Sequence, residues 1–179
     1  HIQAKLDGMR ALAFWDGDKV EILSRSGKSF REIGSVEHIA KAVEQILPKG
    51  LVLDGEIYAH GEDFQTNTKL LKKYRPGESE ALVLHAYDLI DLTHLDAPWR
   101  QRHQNLLKFS ENFTAGGPLE VVPTEQVASQ EAVYERHAAY LEQGFEGAIV
   151  RLLDAPYELG KRSNCLLKVK SFQDEEFQI

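Results

Sequence analysis

Apolar residues in this chain fall in short runs separated by turn-forming residues, with no repeating strand–helix–strand rhythm. A parallel, doubly wound sheet needs that rhythm, because every parallel strand must be followed by a crossover. The pattern therefore points to an α+β fold with largely antiparallel sheets flanked by helices. Residues 3–14 and 19–24 flank the turn-rich Trp15-Asp16-Gly17-Asp18 and read as one hairpin. Val36, Ile39, Ala40, Val43, Ile46 and Leu47 recur at three- and four-residue steps. That spacing predicts a helix, capped by Ser35 and ended by Pro48. Residues 51–59 read as a short strand pair broken by a tight turn at Asp54-Gly55. Residues 64–75 read as a basic helix and 81–92 as a buried strand. Pro98 suits the first turn of a helix that carries Trp99, Leu106 and Leu107. Residues 119–123 form a brief strand. A helix over 129–143 turns Ala132, Val133, Tyr140 and Leu141 inward and ends at Gly144. Strands follow over 147–153 and 165–170.

The chain has 179 residues, enough for one good core or two small lobes. No apolar run approaches the ~18–20 residues of a membrane span, and nothing at the start reads as a signal peptide. The lone Cys165 excludes a disulfide framework and a multi-cysteine metal site, reads as a packed thiol, and fits a reducing, cytoplasmic setting. Net charge is −7, from 21 Lys+Arg against 28 Asp+Glu. A polyanion must therefore be met by local basic clusters, of which residues 69–75, 100–108 and 161–170 are candidates. Each reads equally well as a solvated charged face. Both ends have the look of a domain cut from a longer protein. The expected domain is 1–172, with 173–179 beginning a connection.

Four segments carry chemistry. Lys5-Leu6-Asp7-Gly8-Met9-Arg10 crowds an amine, a carboxylate and a guanidinium at the start of an apolar stretch. Leu53-Asp54-Gly55-Glu56 and Glu146-Gly147-Ala148-Ile149-Val150-Arg151 each place a carboxylate on or beside a strand. In Leu166-Leu167-Lys168-Val169-Lys170, strand alternation puts Lys168 and Lys170 on one face. Two lysines side by side repel unless an anion such as a phosphate, or open solvent, relieves them.

In order and wide separation these segments resemble motifs I, III, IV and V of the covalent nucleotidyltransferases, the superfamily of DNA ligases, RNA ligases and mRNA capping enzymes. Residues 83–92, with Tyr87-Asp88-Leu89, resemble motif IIIa, and Ser24-Arg25-Ser26-Gly27 resembles the Arg-x-Gly that follows motif I. The likeness covers residues 3–172 and is nearest to ATP-dependent DNA ligases of phage or bacterial type. It departs from the pattern in four ways. Motif VI and the OB-fold domain that carries it are absent, as is the segment before motif I that usually helps hold the nucleotide; Arg151 stands where many ligases have lysine, and Tyr87 stands where phenylalanine is frequent.

The resemblance implies a nucleotide cleft, ATP as the nucleotide, Mg²⁺, nicked duplex DNA as the partner, and a C-terminal OB-fold domain of the same protein. Lys5 becomes the nucleophile that captures AMP. Attack needs an unprotonated amine, and neighbouring cations (Lys168, Lys170 and Arg10) favour that form. Lys168 and Lys170 hold the α-phosphate. Glu146 and Glu56 are metal-side carboxylates, Glu56 also touching ribose. Tyr87 stacks on adenine, with a core tyrosine as the equal alternative. Arg10 and Arg25 meet ribose or phosphate, Asp7 orients the motif I loop, and Gln3 and Ala4 border the base. Asp88 stays unassigned. Trp15 and Trp99 read as packing residues, and His85, His94, His103 and His137 show no metal-ligand spacing. An RNA ligase, a GTP-dependent capping enzyme, or a non-catalytic nucleotide- or DNA-binding module on the same scaffold are the competing readings.

Overall fold

The computed structural model describes residues 1–160 and 163–170. Strands β1 (Ile2–Lys5), β7 (Thr124–Glu125), β8 (Gly147–Arg151) and β9 (Leu166–Val169) form one sheet in the order β7-β1-β8-β9. Strands β2 (Met9–Asp16), β3 (Lys19–Ser24), β4 (Leu51–Tyr58), β5 (Val83–Asp91) and β6 (Leu119–Val121) form a second, ordered β3-β2-β4-β5-β6. Every pairing is antiparallel except that of β5 with β6. Helices α1 (Glu37–Ile46), α2 (Phe64–Lys72), α3 (Trp99–Ser110) and α4 (Gln130–Glu142) complete the α+β fold that the sequence implied. Among the described residues no helix is long and apolar enough to cross a membrane. The expected domain limit at 172 lies outside the described residues.

Alternation along the strands sorts side chains into two cores and a cleft. On the larger sheet Ala11, Ala13, Leu53, Ile57, Leu84 and Ala86 face a core shared with Ile39, Ala40 and Val43 of α1 and Leu106 of α3. On the smaller sheet Ile2, Ala4 and Ala148 pack against Tyr140 of α4. The opposite faces carry the polar residues and look into the space between the sheets.

Several local expectations change. Residues 3–14 are not one strand. The chain breaks at residues 6–8 and passes from the smaller sheet to the larger, so Lys5 ends one strand and Arg10 lies in another. Residues 51–58 are one strand, not a pair. At Asp54-Gly55 its register to β5 slips, so that Asp54 pairs with Asp88 and Gly55 with Ala86, leaving Tyr87 as the extra residue of a bulge. The bulge lets neighbouring Tyr87 and Asp88 both line the cleft. Neither Gly8 nor Gly55 has a positive φ. Each is required by close approach: a Cβ at Gly8 would meet Ile57 O at 2.7 Å, and one at Gly55 would meet His85 O at 2.6 Å.

Ser35 does not cap α1, whose N-cap is Val36 with no side-chain bond. The buried Ser35 hydroxyl instead donates to Leu71 O at 2.7 Å, and Ser79 Oγ donates to Leu70 O at 3.2 Å. Those carbonyls lie in the last turn of α2, where no helical N–H is available to them. Ser129 does cap α4, accepting from Ala132 N at 3.1 Å, and Gly144 with φ 85° follows its end. Leu141, expected inward on α4, is exposed.

Gly55→Ala should destabilise the fold by about 2–3 kcal/mol, because the new methyl meets backbone on β5 that cannot turn aside. Urea unfolding of the variant against the parent chain measures it.

Candidate active site

The polar faces of the two sheets enclose a cleft of about 590 Å³. Gln3, Ala4 and Lys5 of β1, Arg10 of β2, Arg25, Glu56 of β4, Tyr87 of β5 and Lys168 of β9 all line it. Ala4's methyl packs in the smaller core, so its share of the cleft wall is backbone. Pairing on the smaller sheet sets Gln3 opposite Ile149 and Ile149 opposite Lys168, forming one row across three strands. The next row holds Lys5 opposite Gly147. A Cβ at Gly147 would meet Val169 O at 2.3 Å, so this position of the row carries no side chain.

Glu146 connects the two ends of the sequence. It stands immediately before β8, its N–H donates to Lys5 O at 3.0 Å, and its carboxylate accepts from both Lys5 Nζ and Lys170 Nζ. A protein carboxylate thus lies between Lys5 and Lys170. Burial pushes the Glu146 carboxyl up, but the lysine hydrogen bonds outweigh it and hold the pKa below the usual range. Glu56 behaves oppositely. Burial raises its carboxyl to about 7, with Lys5 and Arg10 pulling down and the charges of Asp54 and Glu146 pushing up.

Arg10 is anchored on a carboxylate. Its Nε and Nη2 meet the two oxygens of buried Asp54 at 3.0 and 2.8 Å, and Nη2 also reaches Tyr157 Oη at 2.8 Å. Tyr157 in turn donates to Asp54 at 2.8 Å. No sequence pattern singles out Tyr157, which lies outside every regular element; only the return of its loop to the cleft reveals it. Asp88, unassigned before, is the buried partner of Arg102, bound through both oxygens at 2.9 and 3.0 Å.

Arg151 keeps the charge at the end of motif IV and does more than carry it. Its guanidinium lies 5.0 Å from the Tyr87 ring centre and 5.6 Å from that of Trp99, and Nε donates to Gln3 Oε1 at 2.7 Å. Trp99 packs as expected, stacked on His103, and also forms part of the cleft wall. Cys165 is half-buried on that wall rather than enclosed in a core. Among the described residues no group of three or more His, Cys, Asp or Glu side chains could hold a metal ion.

Comparison with known proteins places this geometry. The family model of the ATP dependent DNA ligase domain matches residues 1–170. A DNA ligase of African swine fever virus (isolate Tick/South Africa/Pretoriuskop Pr4/1996) is 29% identical over 188 residues, spanning 98% of this chain and 42% of the viral protein. A DNA ligase of Halobacterium salinarum is 30% identical over 188 residues, covering 94% of this chain and 32% of its own. The chain therefore spans less than half the length of these relatives. Among solved structures, Pmar-Lig_PreS3 superposes with a TM-score of 0.81 at 28% identity, over 95% of this chain and 42% of that one. The ATP-dependent DNA ligase from bacteriophage T7, in complex with ATP, shares the fold at a TM-score of 0.73 and 22% identity, over 94% and 61%. With the model match running through nearly all of its length, this chain belongs to the ATP-dependent DNA ligase domain family.

Proposed function

We propose that the chain is the adenylation domain of an ATP-dependent DNA ligase and that the cleft binds ATP. The observation that carries this reading is that Lys5, which lines the polar cleft, is met by Glu146 from the far end of the sequence, and that Glu146 also holds Lys170. Lys5 Nζ, after losing a proton, attacks the α-phosphorus. The N–P bond forms as the bond to the bridging oxygen breaks, and pyrophosphate departs. An oxygen of the 5′-phosphate at a nick then displaces Lys5, and the 3′-hydroxyl finally displaces AMP to close the strand. Displacements of this kind depend on positioning and charge stabilisation. Glu146 directs the amine, while Lys168 and Lys170 stand beside the phosphate. Tyr87 and Gln3 border the base, with Arg10 and Arg25 toward ribose or phosphate. The OB-fold domain of the ligase would close over the nucleotide, and the cytoplasm of a bacterial or phage-infected cell is the place of work.

Mg²⁺ fits the donor set. Glu56 and Glu146 supply hard carboxylate oxygens near Lys5, and phosphate oxygens and water would complete the shell. The elevated Glu56 carboxyl agrees, since a cation beside it would favour its ionised form. Such an ion neutralises charge that builds on the triphosphate.

Lys69 and Lys72 of α2, followed by Lys73 and Arg75, form a basic surface around exposed Phe64. This surface suits the phosphates of duplex DNA, which are met without reading sequence.

Incubation with ATP should add one adenylyl group to the chain by intact mass, GTP should add nothing, and Lys5→Ala should abolish the adduct. No adduct with any nucleotide would refute the reading. Lys72→Glu with Lys73→Glu should weaken nicked-duplex binding by about tenfold and flatten its salt dependence, while adenylation persists. Equal nick affinity in the double variant would remove that surface from consideration. Without nucleotide or divalent cation, Glu56 should also shape stability. The folded state keeps the proton above the pH at which the unfolded chain has lost it. Stability should fall as pH rises from about 4.5 through about 7, by no more than about 3 kcal/mol, and this part of the slope should vanish in Glu56→Gln.

A further inference from the structure

A line of aromatic rings passes from the larger sheet to the smaller one and takes no part in the steps described above. It starts at His85 of β5 and runs through Tyr58 at the end of β4, His60, Phe145 and Tyr140 of α4. Successive ring centres are 4.6, 5.9, 5.2 and 6.0 Å apart. Tilted and edge-on ring pairs at such separations attract beyond their buried area. His85 and Tyr58 belong to the larger sheet, while Phe145 and Tyr140 pack in the smaller core. The contact of His60 with Phe145 is therefore the step that joins the two.

Both sides of that step are held. Residues 59–62 form a tight turn, in which Glu62 N–H donates to Ala59 O at 3.3 Å and Gly61 has φ 89°. Asn67 of α2, only 2% exposed, clasps the turn at both ends. Its Oδ1 accepts from Ala59 N at 2.6 Å, and its Nδ2 donates to Glu62 O at 3.1 Å. A buried carboxamide satisfied in this way fixes the turn that displays the exposed His60. Tyr58 Oη, hydrogen-bonded to His60 Nδ1 at 3.1 Å, restrains the imidazole. On the other side, residues 141–144 are exposed, and Phe145 is the packed side chain that leads into Glu146. Phe145 N–H donates to Tyr140 O at 3.0 Å, and Glu146 N–H donates to Lys5 O at 3.0 Å. The Phe145 ring thus stands one residue from the carboxylate that meets Lys5 Nζ.

We propose that His60 and Phe145 are positioning residues: their contact lets the larger sheet set where the Glu146 carboxylate stands, and so keeps the Lys5 amine aimed. This inference rests on the reading of Lys5 as the nucleophile. It adds that two residues outside the four motifs, with a buried asparagine behind one of them, tune the attack. An attacking atom is sensitive to small displacements, whereas ATP itself is left to other residues of the cleft. Loosening the contact should therefore slow the chemical step more than it weakens binding.

The rate of adenylyl-Lys5 formation is measured against ATP concentration for the parent chain, His60→Ala, His60→Phe, Phe145→Leu and the double variant His60→Ala with Phe145→Leu. His60→Ala should lower the limiting rate about fivefold and leave the half-saturating ATP concentration within about twofold, a loss the size of one ring contact. His60→Phe keeps a flat ring on Phe145 and should restore the parent rate. Phe145→Leu should cost about as much as His60→Ala, and the double variant no more than either, because both remove the same contact. A second measurement needs no nucleotide. Reductive methylation of Lys5 is followed by mass spectrometry against the exposed Lys49 as internal reference. With Glu146 displaced, the amine loses the charge that favours its protonated form, and Lys5 should label about threefold faster in His60→Ala. In His60→Phe it should label at the parent rate. If Phe145→Leu fails to fold by circular dichroism, the two variants at exposed His60 carry the test. Unchanged rate and labelling in His60→Ala, an equal loss in His60→Phe, or additive losses in a folded double variant overturn the inference. A parent that forms no adduct refutes the ligase reading, and labelling alone then decides whether His60 keeps Glu146 on Lys5.

Discussion

Two buried carboxylates bind the halves of the molecule to each other. Asp54 on β4 receives Arg10 from β2 and Tyr157 from the loop between β8 and β9. Asp88 on β5 receives Arg102 from α3, whose remaining hydrogens go to Ala97 O and to Ala155 O in that same loop. The backbone continues the arrangement, since Trp99 N and Arg100 N at the start of α3 donate to Ala155 O and Leu153 O at 2.9 Å. That loop belongs to the smaller sheet and its partners to the larger one. A carboxylate this deeply buried is tolerated only when paired and hydrogen-bonded, and loss of one partner costs about 3–5 kcal/mol. The width of the cleft follows from these bridges.

Within that frame, charges alternate in and beside the cleft. Lys5 and Lys170 share Glu146, Arg10 meets Asp54, and Arg151 lies near Asp88 while stacking on Tyr87. A chain with a net charge of −7 can therefore still hold an ordered set of cations. The cations are positioned in advance by acidic partners.

The motifs were legible because their residues carry recognisable functional groups, and strand alternation suggested one face for Lys168 and Lys170; Lys168 lines the cleft, while Lys170 follows the end of β9 and meets Glu146. Other features depended on neighbours distant in sequence. Ser35 precedes a helix and has the chemistry of an N-cap, but packing turned its hydroxyl to the end of α2. Asp54-Gly55 has the composition of a turn, but Gly55 lies in a continuous strand that passes close to the backbone of bulged β5. Asp88 and Tyr157 had no visible role because their partners, Arg102 and Asp54, stand 14 and 103 residues away.

By itself the sequence determined the antiparallel α+β class, most of the helices and strands, and the motifs that mark the family. These follow from periodicity and from functional groups, which are local properties of a chain. Tertiary structure alone decided that residues 6–8 step from one sheet to the other, that Glu146 joins both lysines, and that Gln3 is clamped between Thr124 and Arg151. Those outcomes arise from strand order and the satisfaction of buried polar groups, which no stretch of sequence encodes until the distant partners have met.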